Sequence, residues 1–339
     1  MSSNNIELDH RDQTIAELIS DSPDAIVERL RVLADDLALA YAPNTLRGWR
    51  ADWRGWTEYC ARVGAAPLPV TLAVLRGFLT ERIAAGRKRA TLERLLSTLS
   101  IVHRLVDLSS PMDTMEFKLM WRALRREHLT ARQQQAKGLT IADLETILAT
   151  LDPDEPRDLR DAALLCTAFE TMFRRSELVG LQVENLSTEA DGSGRMFLAH
   201  SKTDQEGVGA LQYVTSSTVE LLRNWMEKAN ITDGFIFRSA AHNRESYDKP
   251  LSDRDVARIF KSRALAAGLD AARVSGHSTR VGATQDLMAN NYSAAEIMRQ
   301  GRWKSERMIV RYSESLNAGR SAMARLAKGI KLTPRKKSL

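Results

Sequence analysis

Apolar residues recur every three or four positions along most of this chain, the spacing that gathers them on one face of an α-helix. From Tyr41 to Cys60 the pattern stacks Trp49, Trp53, Trp56 and Cys60 on one stripe and leaves Arg47, Arg50 and Arg54 mainly off it. Asn44 or Thr45 is placed to cap the start of that helix. Pro67-Leu68-Pro69 interrupts the pattern, and a helix is expected over Leu72 to Ala84. The next begins near Thr91 and runs through Leu92, Leu95, Leu96, Leu99, Val102 and Leu105. After the break at Ser109-Ser110-Pro111, residues 115–128 read as a further helix carrying Trp121.

Residues 129–138 are polar and show no core face, the signature of a linker. Thr140 and Asp143 then open a new helical pattern that runs to about Leu151, and another spans Arg157 to Phe173. Short alternating runs at Arg195–Ala199 and Leu211–Val214 are expected to pair across a turn at 201–207. Helical spacing returns at 216–229, 252–267, 279–290 and 293–300. Residues 319–330 place Met323, Leu326, Ala327 and Ile330 on one face, and 331–339 form a basic tail. The expected fold is mainly α, with a helical bundle at 41–128 and a mixed, mostly helical domain at 139–318 that holds a small β-sheet.

Length and charge refine this outline. At 339 residues the chain is long enough for two cores. Two cysteines, Cys60 and Cys166, sit in apolar helical stretches and read as buried thiols of a reducing compartment. The start is polar and acidic with no apolar signal region, and no stretch reaches the length of a membrane span, so a cytoplasmic, nucleoid-associated protein is expected. The net charge is +6, yet residues 1–40 hold nine acids against three arginines. That segment reads as an acidic, partly disordered extension. The positive charge lies beyond it, at helix starts and short loops. Arg47, Arg50, Arg87, Lys88, Arg89, Arg122 and Arg125 in the first domain are the candidate contacts to DNA phosphates, and Arg254 and Arg258 in the second begin a helix that could enter a groove. No phosphate-binding glycine loop, zinc-type Cys/His spacing or carboxylate trio stands out, so ATP-driven, zinc-dependent and two-metal chemistries are not suggested.

Five short segments carry the candidate chemistry, and they matter jointly. They are Phe173-Arg174-Arg175-Ser176-Glu177-Leu178, Ser201-Lys202-Thr203, Gly276-His277-Ser278-Thr279-Arg280-Val281-Gly282, Gly301-Arg302-Trp303 and Arg311-Tyr312. Their order resembles the tyrosine-type site-specific recombinase and integrase family, most closely its phage Cre-type branch. That pattern is an arginine with an acid three positions on, a hairpin lysine, His-x-x-Arg, then a histidine or tryptophan nine residues before a tyrosine. Arg174 with Glu177, Lys202, His277 with Arg280, Trp303 and Tyr312 fill it, and Arg175 is the bystander. Tyr213 and Tyr292 have the right chemistry but not the right place.

The resemblance implies a SAM-like core-binding bundle followed by the catalytic domain. It implies that Tyr312 attacks a DNA phosphate held by Arg174 and Arg280, and forms a 3′-phosphotyrosyl link. Lys202 would protonate the leaving 5′-oxygen, and His277 would assist proton transfer at the tyrosine or hold the phosphate. Trp303 would donate its indole N–H, since it can donate but cannot shuttle a proton. Glu177 would orient the pocket and His277. No metal and no cofactor is implied. The partners implied are double-stranded DNA with an inverted-repeat site, a homodimer on each site and a homotetramer at strand exchange. The helix at 319–330 would dock on the neighbouring subunit. A type IB-like topoisomerase or telomere resolvase uses related chemistry, and a non-catalytic architectural DNA-binding protein could share the scaffold.

Overall fold

The computed structural model describes residues 33–129, 135–199, 209–239 and 249–313, together with Met323 and Leu326. It divides into two compact units between Gln133 and Gln134. The first contains α1 (Ala34–Ala40), α2 (Pro43–Val63), α3 (Leu72–Ala84), α4 (Arg89–Leu105), a 3-10 turn at Pro111–Asp113, and α5 (Met115–His128). Its core joins Trp53, Trp56 and Cys60 of α2 to Phe78 and Leu79 of α3, Leu95 and Leu99 of α4, and Trp121 of α5. The Trp56 indole N–H donates to the Pro67 carbonyl at 2.9 Å, fixing the break after α2. Asp52 is buried between helices and accepts from Arg94 and from Thr98, tying α2 to α4.

The start of α2 differs from the expectation. Ala42 is the N-cap and Pro43 is the first helical residue, so neither Asn44 nor Thr45 caps it. Proline at that position forfeits nothing, because the first-turn N–H groups have no partner within the helix. α1 lies inside the acidic segment and buries Leu37.

The second unit is mostly helical around one small antiparallel sheet. It contains α6 (Ile141–Leu148), α7 (Pro156–Thr171), α8 (Arg175–Leu178), a 3-10 turn at Val183–Asn185, β1 (Leu186–Thr188), β2 (Gly194–Leu198) and β3 (Ala210–Val214). There follow α9 (Ser216–Lys228), α10 (Asp253–Ala266), α11 (Ser278–Ala289), α12 (Ala294–Gly301) and α13 (Arg307–Tyr312). The strands run β1-β2-β3, with Arg195 opposite Tyr213 and Leu198 opposite Ala210. β1 is three residues long and carries no alternation, which is why the pattern missed it. Thr140 and Asp143 form a reciprocal capping box at the head of α6.

Residues 137–139 cross α11 as a strap. The Lys137 N–H donates to Arg273, and the Leu139 N–H to Ser278. A methyl group at Gly282 would lie 1.7 Å from the Leu139 carbonyl oxygen, so glycine is what lets the strap approach. Residues 135–138 of the segment expected as a linker therefore belong to the second unit, whereas Leu129 packs against the core of the first. Cys60 is buried and Cys166 only partly so, and both are free thiols. Among the described residues, no helix is long and apolar enough to cross a membrane.

Candidate active site

Three helix ends and two helix starts converge on one pocket. α7 ends at Met172, a C-cap residue in the left-handed conformation, and α12 ends at Arg302, which adopts the same conformation. Each turn aims a helix-terminal carbonyl inward. Arg280, on the first turn of α11, meets both, donating from Nη1 to Met172 and from Nη2 to Gly301, the latter at 2.9 Å. Its guanidinium thus sits at the negative ends of two helices, which favours a cation. It is 2% exposed and lies 5.2 Å from the centre of the Trp303 ring. Burial pushes its pKa down to about 10, with repulsion from Arg174 and Arg302 adding to the fall, and it stays charged at neutral pH.

The three-residue spacing from Arg174 to Glu177 has a local cause. Arg174 is the N-cap of α8 and Glu177 its third helical residue. The carboxylate reaches back to accept the Arg174 backbone N–H at 2.8 Å and its Nη1 at 2.7 Å. Glu177 is buried, so its charge is compensated at close range.

His277 precedes α11 and stands three residues before Arg280, on the same side of the turn. It is exposed at the pocket rim. Lost solvation lowers its pKa below 6.5, and Arg280, Arg175 and Arg174 push the same way. Trp303 and Tyr312 meet edge to face, with centroids 5.7 Å apart and planes at 69°. A methyl group at Gly301 would lie 2.7 Å from the Trp303 ring, so the chain needs glycine there for the indole to fold back. Tyr312 ends α13 and is 9% exposed. Burial raises its pKa, while Arg280, Arg311 and Arg174 pull against that rise.

The resulting cavity is about 400 Å³ and is lined by Arg174, His277, Arg280, Trp303 and Tyr312 together with Gln135, Ala136, Ser275, Val281, Met308 and Arg311. Five of the seven residues singled out from sequence thus face one space. Glu177 stands behind it, holding Arg174. The chain between β2 and β3 carries Lys202, which lies outside the described residues.

The matched region of this chain fits a known family. The model described as the phage integrase family aligns with residues 137–318. The chain belongs to the phage integrase family. A relative named integrase/recombinase XerD homolog, from Selenomonas ruminantium, is 34% identical over 86% of this chain and 87% of its own length. The recombinase Cre of Escherichia phage P1 is 25% identical over 85% of this chain and 88% of its own. Identity to Cre is thus moderate and lies below that to the XerD homolog. In fold, the chain matches the Tn1549 transposon integrase solved with transposon right-end DNA, with a TM-score of 0.62 at 15% identity, covering 89% of this chain and 99% of that one.

Several residues in or behind this integrase-family pocket escaped the sequence reading. Gln135 and Ala136 reach it because the strap carries them along α11, and nothing in a polar stretch announces that. Arg302 was passed over although it flanks Trp303. It donates from Nη2 to Glu177 at 2.5 Å, so Glu177 holds two arginines. Arg175 instead lies 3.3 Å from Asp253 of α10 and does not line the cavity.

The candidate DNA contacts fall into two groups. Arg87, Lys88, Arg122 and Arg254 are exposed and have no ion pair among the described residues. Others are engaged. Arg47 donates to Asn44 at 2.8 Å, Arg89 and Arg125 lie 2.8 and 3.9 Å from Glu93, and Arg258 pairs with Asp255. Arg50 is half-buried.

Proposed function

We propose that this pocket is the catalytic centre of a tyrosine recombinase and that Tyr312 is its nucleophile. The chain acts in site-specific DNA recombination, by conservative strand cleavage and rejoining. The observation that carries the assignment is the convergence of one phenol, three guanidiniums, one imidazole and one indole on a single space.

The chemistry follows from charge. In-line attack on a phosphodiester concentrates negative charge at the nonbridging oxygens, and donors fixed in advance stabilise it more than they stabilise the ground state. Arg174 and Arg280 supply such donors, and Glu177 holds Arg174 in place. The Tyr312 oxygen bonds to phosphorus while the bond to the 5′-oxygen breaks. The phenol, whose pKa is raised, must lose its proton as it attacks, and His277 in its neutral form accepts or relays it. Lys202 delivers a proton to the departing 5′-oxygen. Trp303 donates its indole N–H to the phosphate and packs on Tyr312. The ester bond energy stays in the 3′-phosphotyrosyl link, so a 5′-hydroxyl can reverse the step without ATP.

Two such exchanges, separated by a Holliday junction, complete recombination. They call for a homodimer on an inverted-repeat site and a homotetramer in the synaptic complex. The setting is the cytoplasm, at the nucleoid. Solved relatives support this assembly: one lambda integrase structure is a dimer on a core site, and another is a tetramer on a Holliday junction. Domain limits fit the same reading, with 41–128 as core-binding domain and 139–318 as catalytic domain.

Covalent trapping tests the assignment. The chain is incubated with nicked duplexes from a library of randomised inverted repeats, and adducts are resolved on denaturing gels beside Tyr312→Phe. An adduct that disappears in the variant is expected. An adduct that persists would remove Tyr312 from the role, and a wild-type chain that yields none would overturn the reaction class.

A further inference from the structure

Arg302 occupies a backbone position that an arginine does not favour. Its φ of 52° and ψ of 49° lie in the left-handed region, where glycine carries no steric penalty and a branched-off side chain does. Its side chain is 11% exposed, and its guanidinium stacks 4.6 Å from the centre of the Phe173 ring, next to Arg174 in sequence. Nε and Nη1 are buried and have no hydrogen-bond partner among the described residues. Among the described residues only Nη2 is engaged, on the Glu177 oxygen that also accepts the Arg174 backbone N–H. A costly backbone conformation, a buried charge and idle donors together make a poor structural device. Their common product is a second cation on Glu177.

We infer that Arg302 is a positioning residue for the cleavage reaction. By sharing Glu177 it leaves Arg174 with uncancelled positive charge for the scissile phosphate. Glu177 paired with Arg174 alone would neutralise it. With Arg302 present, the three groups sum to a single positive charge. Arg302 lines no part of the cavity, so it acts through Glu177 and through its field. That field already reaches the pocket, since Arg302 is among the cations that depress the Arg280 pKa. The split of labour is clear: Glu177 fixes the orientation of Arg174, and Arg302 preserves its charge.

This inference rests on the recombinase reading, and the experiment separates the two. Arg302→Gly and Arg302→Asn both suit the left-handed position and remove the charge, while Arg302→Lys retains it. Single-turnover adduct formation is measured on a nicked duplex recovered by trapping with the wild-type chain, with Tyr312→Phe as control. Binding to the same duplex and thermal unfolding are followed in parallel. Each neutral variant should unfold at or above the wild-type temperature, bind within about twofold, and cleave more slowly by roughly 10- to 100-fold, the range for lost transition-state charge stabilisation. Arg302→Lys should recover part of the rate. The cleavage defect should shrink on a duplex whose scissile phosphate is a neutral methylphosphonate, because the charge that Arg302 preserves then has no counterpart. Wild-type cleavage by a folded neutral variant would overturn the inference, as would an equal defect on both phosphates. Adduct formation by Tyr312→Phe would instead overturn the parent reading.

Discussion

His277 and Tyr312 show how the pocket sets proton positions. The Tyr312 phenol is held in its neutral form by burial, and the His277 imidazole is held neutral by lost solvation and three surrounding arginines. A base must be unprotonated to act, and lowering its pKa extends the unprotonated form toward acid. The limb on which His277 becomes protonated therefore lies below pH 6.5, the ordinary imidazole value. Single-turnover cleavage should be flat near neutral pH, and the midpoint of its fall toward acid should lie below that value. In His277→Ala the flat region should give way to a rate that climbs with pH, because solvent must then take the proton. A wild-type rate already halved above pH 6.5 would show that the arginines do not tune His277 in this way. Residue types and their order were legible in the sequence at this scale. Glu177 was legible because capping a helix start and gripping Arg174 are both served by a three-residue spacing. Arg302 was not, since a left-handed turn and a shared carboxylate leave no periodic trace.

At the scale of elements, legibility followed periodicity. Residues 72–84 and 115–128 form helices over the ranges expected, because their apolar stripes are regular and their ends are marked by breaks. β1 had too few residues to alternate. The strap at 137–139 had no apolar pattern, because its hold on α11 is made by backbone hydrogen bonds and by close approach at Gly282. The same contact predicts the effect of one methyl group. In Gly282→Ala the added carbon falls 1.7 Å from the Leu139 carbonyl oxygen and 2.8 Å from the Thr140 nitrogen, both backbone atoms that cannot swing aside. The strap must shift, and Gln135 and Ala136 shift with it at the pocket wall. Overpacking of this kind costs about 1–3 kcal/mol. A lowered unfolding temperature and faster proteolysis near residue 134 are expected, together with slower cleavage. An unchanged unfolding temperature and wild-type cleavage would mean that the strap is not held as closely as this geometry requires.

Across the whole molecule, charge is distributed in a way that local structure does not require. The first forty residues hold a balance of −6 within a total of +6, so the remainder carries +12. Neutralising phosphates releases condensed counterions, and the logarithm of affinity falls linearly with that of salt concentration, by about 0.9 for each phosphate neutralised. The structure sorts the candidate contacts by what already occupies them. Arg87, Lys88, Arg122 and Arg254 are exposed with no ion pair among the described residues, whereas Arg89 and Arg125 share Glu93, and Arg258 pairs with Asp255. A guanidinium that meets phosphate only by leaving a carboxylate exposes that carboxylate near DNA, which offsets its own contribution. Replacing Arg87, Lys88, Arg122 or Arg254 by glutamine should each lower the salt slope by about 1 and weaken binding to unrelated duplexes as much as to the recombination site. Replacing Arg89 should change the slope less, and the double replacement of Arg89 and Glu93 should restore most of it. Fluorescence anisotropy across a salt series measures all of these slopes on one duplex. Equal losses from both groups would show that the ion pairs open freely on DNA, leaving total charge rather than its local pairing to govern the first encounter.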